Sequence, residues 1–243
     1  MLKELVAGKV YYRIFDREFI KSSHVYAKYK PGSDKTEIEN NLQAVLTELS
    51  ADNILILNQV HGSKVIDADN IEDITASPEG DAAVTTTSKL ALSIQTADCV
   101  PVLLYCTRGK VVGAAHCGWR SAKADIIVNL VDKIYQSGAD IIHAVIGPAI
   151  AQNSYEVDDR YYQDFINQDS GYARFFIPST KPQHYLFDLP AFVEMKLLNS
   201  GVSKISVVAD DTYTQPIKYP SYRRSCHSGE RYQHSILSTI IIK

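Results

Sequence analysis

The chain has 243 residues, 45% hydrophobic and 22% charged, an ordinary globular composition that excludes collagen-like, low-complexity and disordered classes. Its 25 basic and 28 acidic residues give a net charge of −3, which makes no electrostatic case for nucleic acid or a membrane surface as partner. No apolar run approaches the roughly 18 residues that a membrane span needs.

One domain over residues 1–243 is expected at this length. Met1 to Lys9 has charges scattered through a short apolar patch and lacks a signal-peptide core, so a soluble, cytoplasmic protein is expected, and a monomer. Four cysteines are too few for a disulfide scaffold. Three of them, Cys99, Cys106 and Cys117, fall within 19 positions, which points to thiol chemistry or metal ligation.

In chain order, Ser33 or Asp34 caps a helix whose apolar stripe is Ile38, Leu42, Val45, Leu46 and Leu49. Ile54 to Val60 is a short apolar run that reads as a buried strand, and a second strand lies near Lys64 to Ala68. Pro78-Glu79-Gly80 signals a turn. Strand-like runs follow at Ala82 to Thr86, Ala91 to Thr96, Val100 to Cys106 and Lys110 to His116, the last two joined by a hairpin signal at Arg108-Gly109. A helix presents Ile126, Ile127, Leu130, Val131 and Ile134 on one face and stops at Gly138. Ile141 to Ile146 reads as a buried strand, and Asp158 caps a helix to about Asn167. Another helix has Asp188 or Leu189 as N-cap, Pro190 in its first turn and Gly201 as terminator. Ile205 to Ala209 and Ser235 to Ile242 close the series as strands. Adjacent strands with short turns, interrupted by helices, predict an α+β fold: a mixed, largely antiparallel sheet sandwich with flanking helices.

Three places look chemical. His61, in Asn58-Gln59-Val60-His61-Gly62, sits where a strand hands over to a loop. Cys99 follows Asp98, and Pro101 marks a strand start or bulge. A carboxylate at position 98 is costly in a purely apolar setting, so a polar one is implied. Small residues feed His116 out of a strand, and Gly118 turns the chain toward Trp119 and Arg120, a junction suited to an anion. Taken singly, each has a structural reading: a hydrogen-bonded His, an inert thiol, a packing Trp. Together, His61, Cys99 and His116 form a zinc ligand set that leaves a fourth position open. The gaps are 38 and 17 residues, so folding must assemble the site, and Cys106 and Cys117 remain rival ligands.

At these residues the sequence resembles the YfiH-type proteins, a family described as polyphenol oxidoreductases or laccases and as purine nucleoside phosphorylases. The motifs that carry the resemblance are NQVHG, GDAAVTT, TADCVPVLLY, AAHCGWR, IGPAI followed by YEV, and FDL, with SYRR at 221 to 224. The resemblance implies metal ligation by His61, Cys99 and His116. It also implies an α+β sandwich related to a toxin catalytic domain with a Cys–His pair. The activity implied is phosphorolysis of adenosine, inosine and methylthioadenosine, with adenosine deamination, at a zinc or copper centre. This chain departs from the family at Cys117 and Ser121, where Ala and Gly are usual. It keeps only Arg13 of an N-terminal Arg and Gly-Gly-Val-Ser pattern, and it lacks a family Cys near Thr212.

Purine nucleoside and phosphate are therefore the expected partners. Arg120 and the turn after His116 are the first choice for phosphate, with Arg13 and Arg223 as others. Asp98 is a candidate acid or electrostatic partner, and Trp119 or a tyrosine can stack on a purine. For deamination, zinc at the trio would activate water, although the usual H-x-E and P-C-x-x-C signature is absent. A multicopper centre is implausible, because there are only seven histidines and no two are separated by one residue. A single copper at the trio would give weak polyphenol oxidation. The alternatives are a Cys–His hydrolase, such as an amidase acting on cell-wall precursors, with Cys99 as nucleophile and His116 or His61 as base, and a non-catalytic zinc-binding protein.

Overall fold

The computed structural model describes residues 2–19, 35–229 and 235–243. Strands β1 (Lys3–Val6) and β2 (Val10–Phe15) form a hairpin, followed by helix α1 (Lys35–Leu49). Next come β3 (Asn53–Ile56), β4 (Val65–Asp67), β5 (Ala82–Thr85), β6 (Leu90–Thr96), β7 (Val100–Cys106) and β8 (Val112–Cys117). Helices α2 (Trp119–Lys123) and α3 (Ile126–Gln136) lead to β9 (Ile142–Ile146). The chain continues through β10 (Glu156–Asp158), α4 (Asp159–Ile166), β11 (Phe176–Pro178), β12 (His184–Phe187), α5 (Leu189–Asn199), β13 (Lys204–Val207), α6 (Tyr222–Ser228) and β14 (Ile236–Ile242).

The strands build a five-stranded sheet, β1-β2-β14-β6-β3, a six-stranded sheet, β13-β9-β7-β8-β5-β4, and a small sheet, β10-β12-β11. Only β3/β6, β4/β5 and β9/β13 pair in parallel among the described residues. The architecture is therefore α+β with mixed, largely antiparallel sheets.

Alternation along the strands sets the layers. Leu92 and Ile94 of β6 and Ile240 of β14 pack against Leu103 of β7 and Val112 and Ala114 of β8, filling the space between the two large sheets. The opposite face of the six-stranded sheet, including Val102 and Leu104, packs on Ile127 and Leu130 of α3 and Phe192 of α5. Ala91 and Ile241, on the far face of the five-stranded sheet, meet Val45 and Leu49 of α1. Strand β7 is buried at every position because it is covered on both sides, which is why its sequence is a continuous apolar run and does not alternate.

Several boundaries follow local chemistry. Asp158 accepts from the Tyr161 N–H at 2.8 Å to start α4, and Asp188 accepts from the Ala191 N–H at 2.9 Å to start α5, with Pro190 in the first turn. The expected cap at Ser33 or Asp34 lies outside the described residues.

Other expectations are corrected. The strand expected over Ile54 to Val60 ends at Ile56. Asn58 then bridges in parallel to Glu79, so Pro78 to Gly80 is a crossing point and not a reverse turn. Beyond it the Gln59 side chain replaces the ladder: its amide donates to the Gln95 carbonyl at 2.7 Å and accepts from the Gln95 N–H at 2.8 Å. The backbone from Val60 to Gly62 is thereby released as a loop. The β1–β2 hairpin, the small sheet and α6 were not expected. Their strands run to three to six residues, too short for periodicity to show against flanking loops.

Candidate functional site

Topology brings four segments to one edge of the sandwich. Strand β3 runs parallel to β6, so the loop carrying His61 leaves at the end where β6 turns into β7 through Asp98 and Cys99. Strand β8 runs antiparallel to β7, with His116 opposite Pro101, so its last residues return to the start of β7. Strand β5 pairs Ala82 with Ala115 of β8, which sets Asp81 beside His116. Two non-glycine residues there take left-handed backbone conformations, His61 at φ 60° and Asp98 at φ 85°.

The ligating atoms of His61, Cys99 and His116 lie within 4.8 Å of one another. Cys99 Sγ is 3.9 Å from His61 Nε2, and the two imidazole centroids are 4.6 Å apart, edge to face. Ligands at tetrahedral angles, with zinc–sulfur about 2.3 Å and zinc–nitrogen about 2.0 Å, would stand about 3.5 Å apart, a few tenths of an ångström inside the observed sulfur–nitrogen separation. His116 is buried, Cys99 half-buried and His61 exposed, so the cluster has a solvent-facing side.

The rival thiols stay apart. Cys106 is buried at the far end of β7 and accepts from the Lys110 N–H at 3.3 Å. Cys117 faces the helix-side core, and burial pushes its thiol well above the usual range. His143 packs on Tyr105, His184 Nδ1 contacts the Pro182 carbonyl at 2.9 Å, and His227 Nδ1 contacts the Tyr213 hydroxyl at 2.9 Å. His24 and His234 lie outside the described residues. Among the described residues the trio is the one cluster of three such side chains.

Asp81 was not singled out in the sequence, yet it is fully buried beside the trio. Its Oδ1 meets His116 Nδ1 at 2.8 Å and accepts from the His61 N–H at 2.9 Å. Its Oδ2 accepts from the N–H groups of Gly62 at 2.7 Å and Val60 at 3.2 Å. The signal was legible: an acid immediately before Ala-Ala-Val must be paired if it is buried. Burial pushes the Asp81 carboxyl up, but the His116 contact and the amides outweigh it and hold it below the usual range.

In the protein without metal, the same contacts polarise the pair beside it. Burial alone would raise the Cys99 thiol, but the neighbouring His116 charge and hydrogen bond, with a smaller share from His61, bring it down to about 6. Burial lowers His116, but Cys99 and Asp81 raise it to about 9. This environment favours a thiolate, the ligand form of cysteine.

His61 and Cys99 line a cavity of about 520 Å³. Trp119, Tyr155 and Tyr161 make an aromatic wall, with Trp119 and Tyr161 centroids 4.8 Å apart and the two tyrosine hydroxyls 3.5 Å apart. Arg120 and Arg223 also line it. The Arg120 guanidinium lies 4.3 Å from the centroid of Trp119. Arg223 donates to the Glu156 carbonyl at 2.6 Å and lies over Tyr155. Asp98 reaches the cavity edge, but its carboxylate accepts from Thr212 Oγ1 at 2.7 Å, Ser221 Oγ at 2.9 Å and the Arg223 N–H at 2.6 Å. Arg13 is paired with Glu48 and stacked near Phe15 and Phe19, and does not line the cavity.

A family model described as multi-copper polyphenol oxidoreductase laccase matches residues 17–238. A Rickettsia conorii protein named purine nucleoside phosphorylase is 52% identical over 242 residues, covering 100% of both chains. The purine nucleoside phosphorylase YfiH of Escherichia coli is 34% identical over 177 residues, 71% of this chain and 69% of that one. Among solved structures, a Neisseria meningitidis protein superposes with a TM-score of 0.84 at 24% identity, covering 100% of this chain and 98% of that one. Bacillus licheniformis YfiH also superposes at 0.84, with 22% identity and coverage of 100% and 99%. The family model spans the loops and strand ends that carry all three clustered side chains, and on that match the chain belongs to the YfiH-type family described as polyphenol oxidoreductase laccases.

Proposed function

We propose that this chain is a metal-dependent purine nucleoside phosphorylase that takes adenosine, inosine and methylthioadenosine, with adenosine deamination as a side activity. The observation that carries the reading is the cavity: His61 and Cys99 of the trio, an aromatic wall and two guanidiniums around one space, with His116 buried behind them. The relatives named purine nucleoside phosphorylase, two of them similar over the whole chain, support it.

His61, Cys99 and His116 would hold the metal, zinc by preference and copper as the alternative. When bound there it supplies a Lewis acid that polarises an oxygen-bearing group. The chain's own side chains do the rest. Phosphorolysis breaks the C1′–N9 bond, whose electron pair leaves with the purine, and forms a bond from C1′ to a phosphate oxygen. The departing purine gains the proton that the attacking hydrogen phosphate gives up. Arg120 and Arg223 supply charge-assisted donors that hold phosphate against C1′. Trp119, Tyr155 and Tyr161 offer ring faces to the purine and exclude water from the reacting bond. Asp98 is better suited to positioning than to acid catalysis, since its oxygens already accept from Thr212 and from two donors at the start of α6, Ser221 and the Arg223 N–H.

Adenosine supplied with and without phosphate tests the reading. Adenine and ribose 1-phosphate are expected only with phosphate, and inosine in either case if deamination accompanies it. Loss of both on chelation, with recovery by zinc, is the expected control. Turnover that survives chelation would support a second reading, a Cys–His hydrolase, favoured by the 3.9 Å approach of Cys99 to an imidazole. Stoichiometric zinc without turnover would leave a binding protein.

A further inference from the structure

We propose that Asp81 is a positioning residue for both imidazoles of the trio: one buried carboxylate selects the tautomer of His116 and shapes the loop that presents His61. The inference rests on the metal-site reading above.

Two sets of contacts meet on this one side chain. On one side, three successive backbone N–H groups, those of Val60, His61 and Gly62, converge on the carboxylate. Such a run of amides is a nest, a concavity that binds an anion, and it requires an unusual backbone at its centre. His61 has that backbone, at φ 60°. Without the anion, three parallel N–H dipoles would face one another around an empty hollow, and the loop would relax. The His61 ring would then leave the neighbourhood of Cys99.

On the other side, Oδ1 stands 2.8 Å from His116 Nδ1. The His116 N–H also donates to the Asp81 carbonyl at 2.7 Å, so backbone and side chain are fixed together. A carboxylate only accepts, so Nδ1 carries hydrogen, and in the neutral ring that ligates a metal the lone pair is left on Nε2. A carboxylate behind a ligating His commonly performs this service, and its loss typically costs 10- to 100-fold in metal affinity.

The two duties cannot be separated by an amide. In Asp81→Asn, an oxygen placed at Oδ1 keeps the His116 and His61 contacts but turns NH2 against the N–H groups of Val60 and Gly62. An oxygen placed at Oδ2 keeps those two and turns NH2 toward His116 Nδ1. That orientation demands a bare Nδ1, moves hydrogen to Nε2 and removes the lone pair. Either way one imidazole is lost to the cluster.

The experiment measures zinc affinity of wild type and Asp81→Asn by competition with a chromophoric chelator, with circular dichroism to establish folding. The expected result is a folded variant whose affinity has dropped about 10- to 100-fold. A folded variant with wild-type affinity overturns the proposal while leaving the metal site intact. A wild-type chain that takes up no zinc overturns both. Should Asp81→Asn not fold, the tautomer is read in the wild type: with 15N-histidine label and zinc bound, His116 must show hydrogen on Nδ1, and hydrogen on Nε2 overturns the proposal.

Discussion

Cys99 Sγ lies 3.9 Å from His61 Nε2, and the backbone of Gly118 passes close beside both. A Cβ built at Gly118 would fall 2.7 Å from His61 Cδ2 and 3.2 Å from Cys99 Sγ. Its φ of −66° is open to any residue, so the requirement is for space and not for backbone freedom. Gly118→Ala should therefore leave the fold intact and push two members of the trio apart. We expect zinc affinity to fall at least about tenfold, the effect of disturbing a ligand's supports. Unchanged affinity in chelator competition would show that the ring and thiol yield without cost.

The Cys99–His116 pair predicts a reactivity profile for protein stripped of metal. With Cys226 replaced, because it is the exposed thiol, iodoacetamide should modify Cys99 at a rate that rises through about pH 6 and then levels. His116→Ala removes the main stabilising charge and should move that rise up toward the ordinary cysteine value of about 8.5. A rise near 8.5 in the unsubstituted pair would contradict the geometry.

Stability should respond differently. Cys99, lowered from 9.0 to about 6, contributes stability that is present above its unfolded value and lost as pH falls through about 6. His116, raised from 6.5 to about 9, contributes stability that is present at low pH and lost as pH rises through about 9. Between those limits the folded and unfolded pairs each hold one proton, so the two slopes cancel. Cys99→Ala removes the thiolate that contributes most to raising His116, so in metal-free protein an NMR titration should find this imidazole well below about 9; a value that stays near 9 would show that Asp81 alone holds its proton.

Arg223 reaches the cavity from α6 and is tethered by one donated bond to the Glu156 carbonyl. If it holds phosphate, Arg223→Ala should raise the phosphate KM by roughly 10- to 100-fold, the worth of a hydrogen bond to a charged group at about 1.5–3 kcal/mol. The nucleoside KM should change little. A change confined to the nucleoside would assign Arg223 to the other substrate.

Asp98 holds two buried hydroxyls, Thr212 and Ser221, and the Arg223 N–H. Asp98→Ala leaves those donors without a partner, at about 1–3 kcal/mol each if unrelieved. A loss of about 3 kcal/mol, equivalent to roughly 10 °C in Tm for a chain of this size, is the expected outcome in a melting experiment. A variant with undiminished Tm but altered acid dependence of turnover would restore Asp98 as a proton donor.

Much of the fold can be read directly from local chemistry. Asp158, Asp188 and Pro190 start helices α4 and α5 where their side chains dictate, and the apolar run at β7 announces a strand covered on both faces. The residue types of the trio, and the small residues around them, were visible as candidates for the same reason: they are properties of single positions and short windows. The sequence favoured Cys99 but left Cys106 and Cys117 as rivals, and only tertiary structure separated the three thiols, by strand end and strand face. It alone tied Asp81 to amides about 20 positions earlier and to an imidazole 35 positions later. It turned Arg13 toward Glu48 and brought Arg223 to the cavity. Periodicity records how a segment meets its own surroundings. A partner supplied by a distant strand end leaves no trace in the local pattern, because pairing across the sheets is settled by register and burial throughout the whole core.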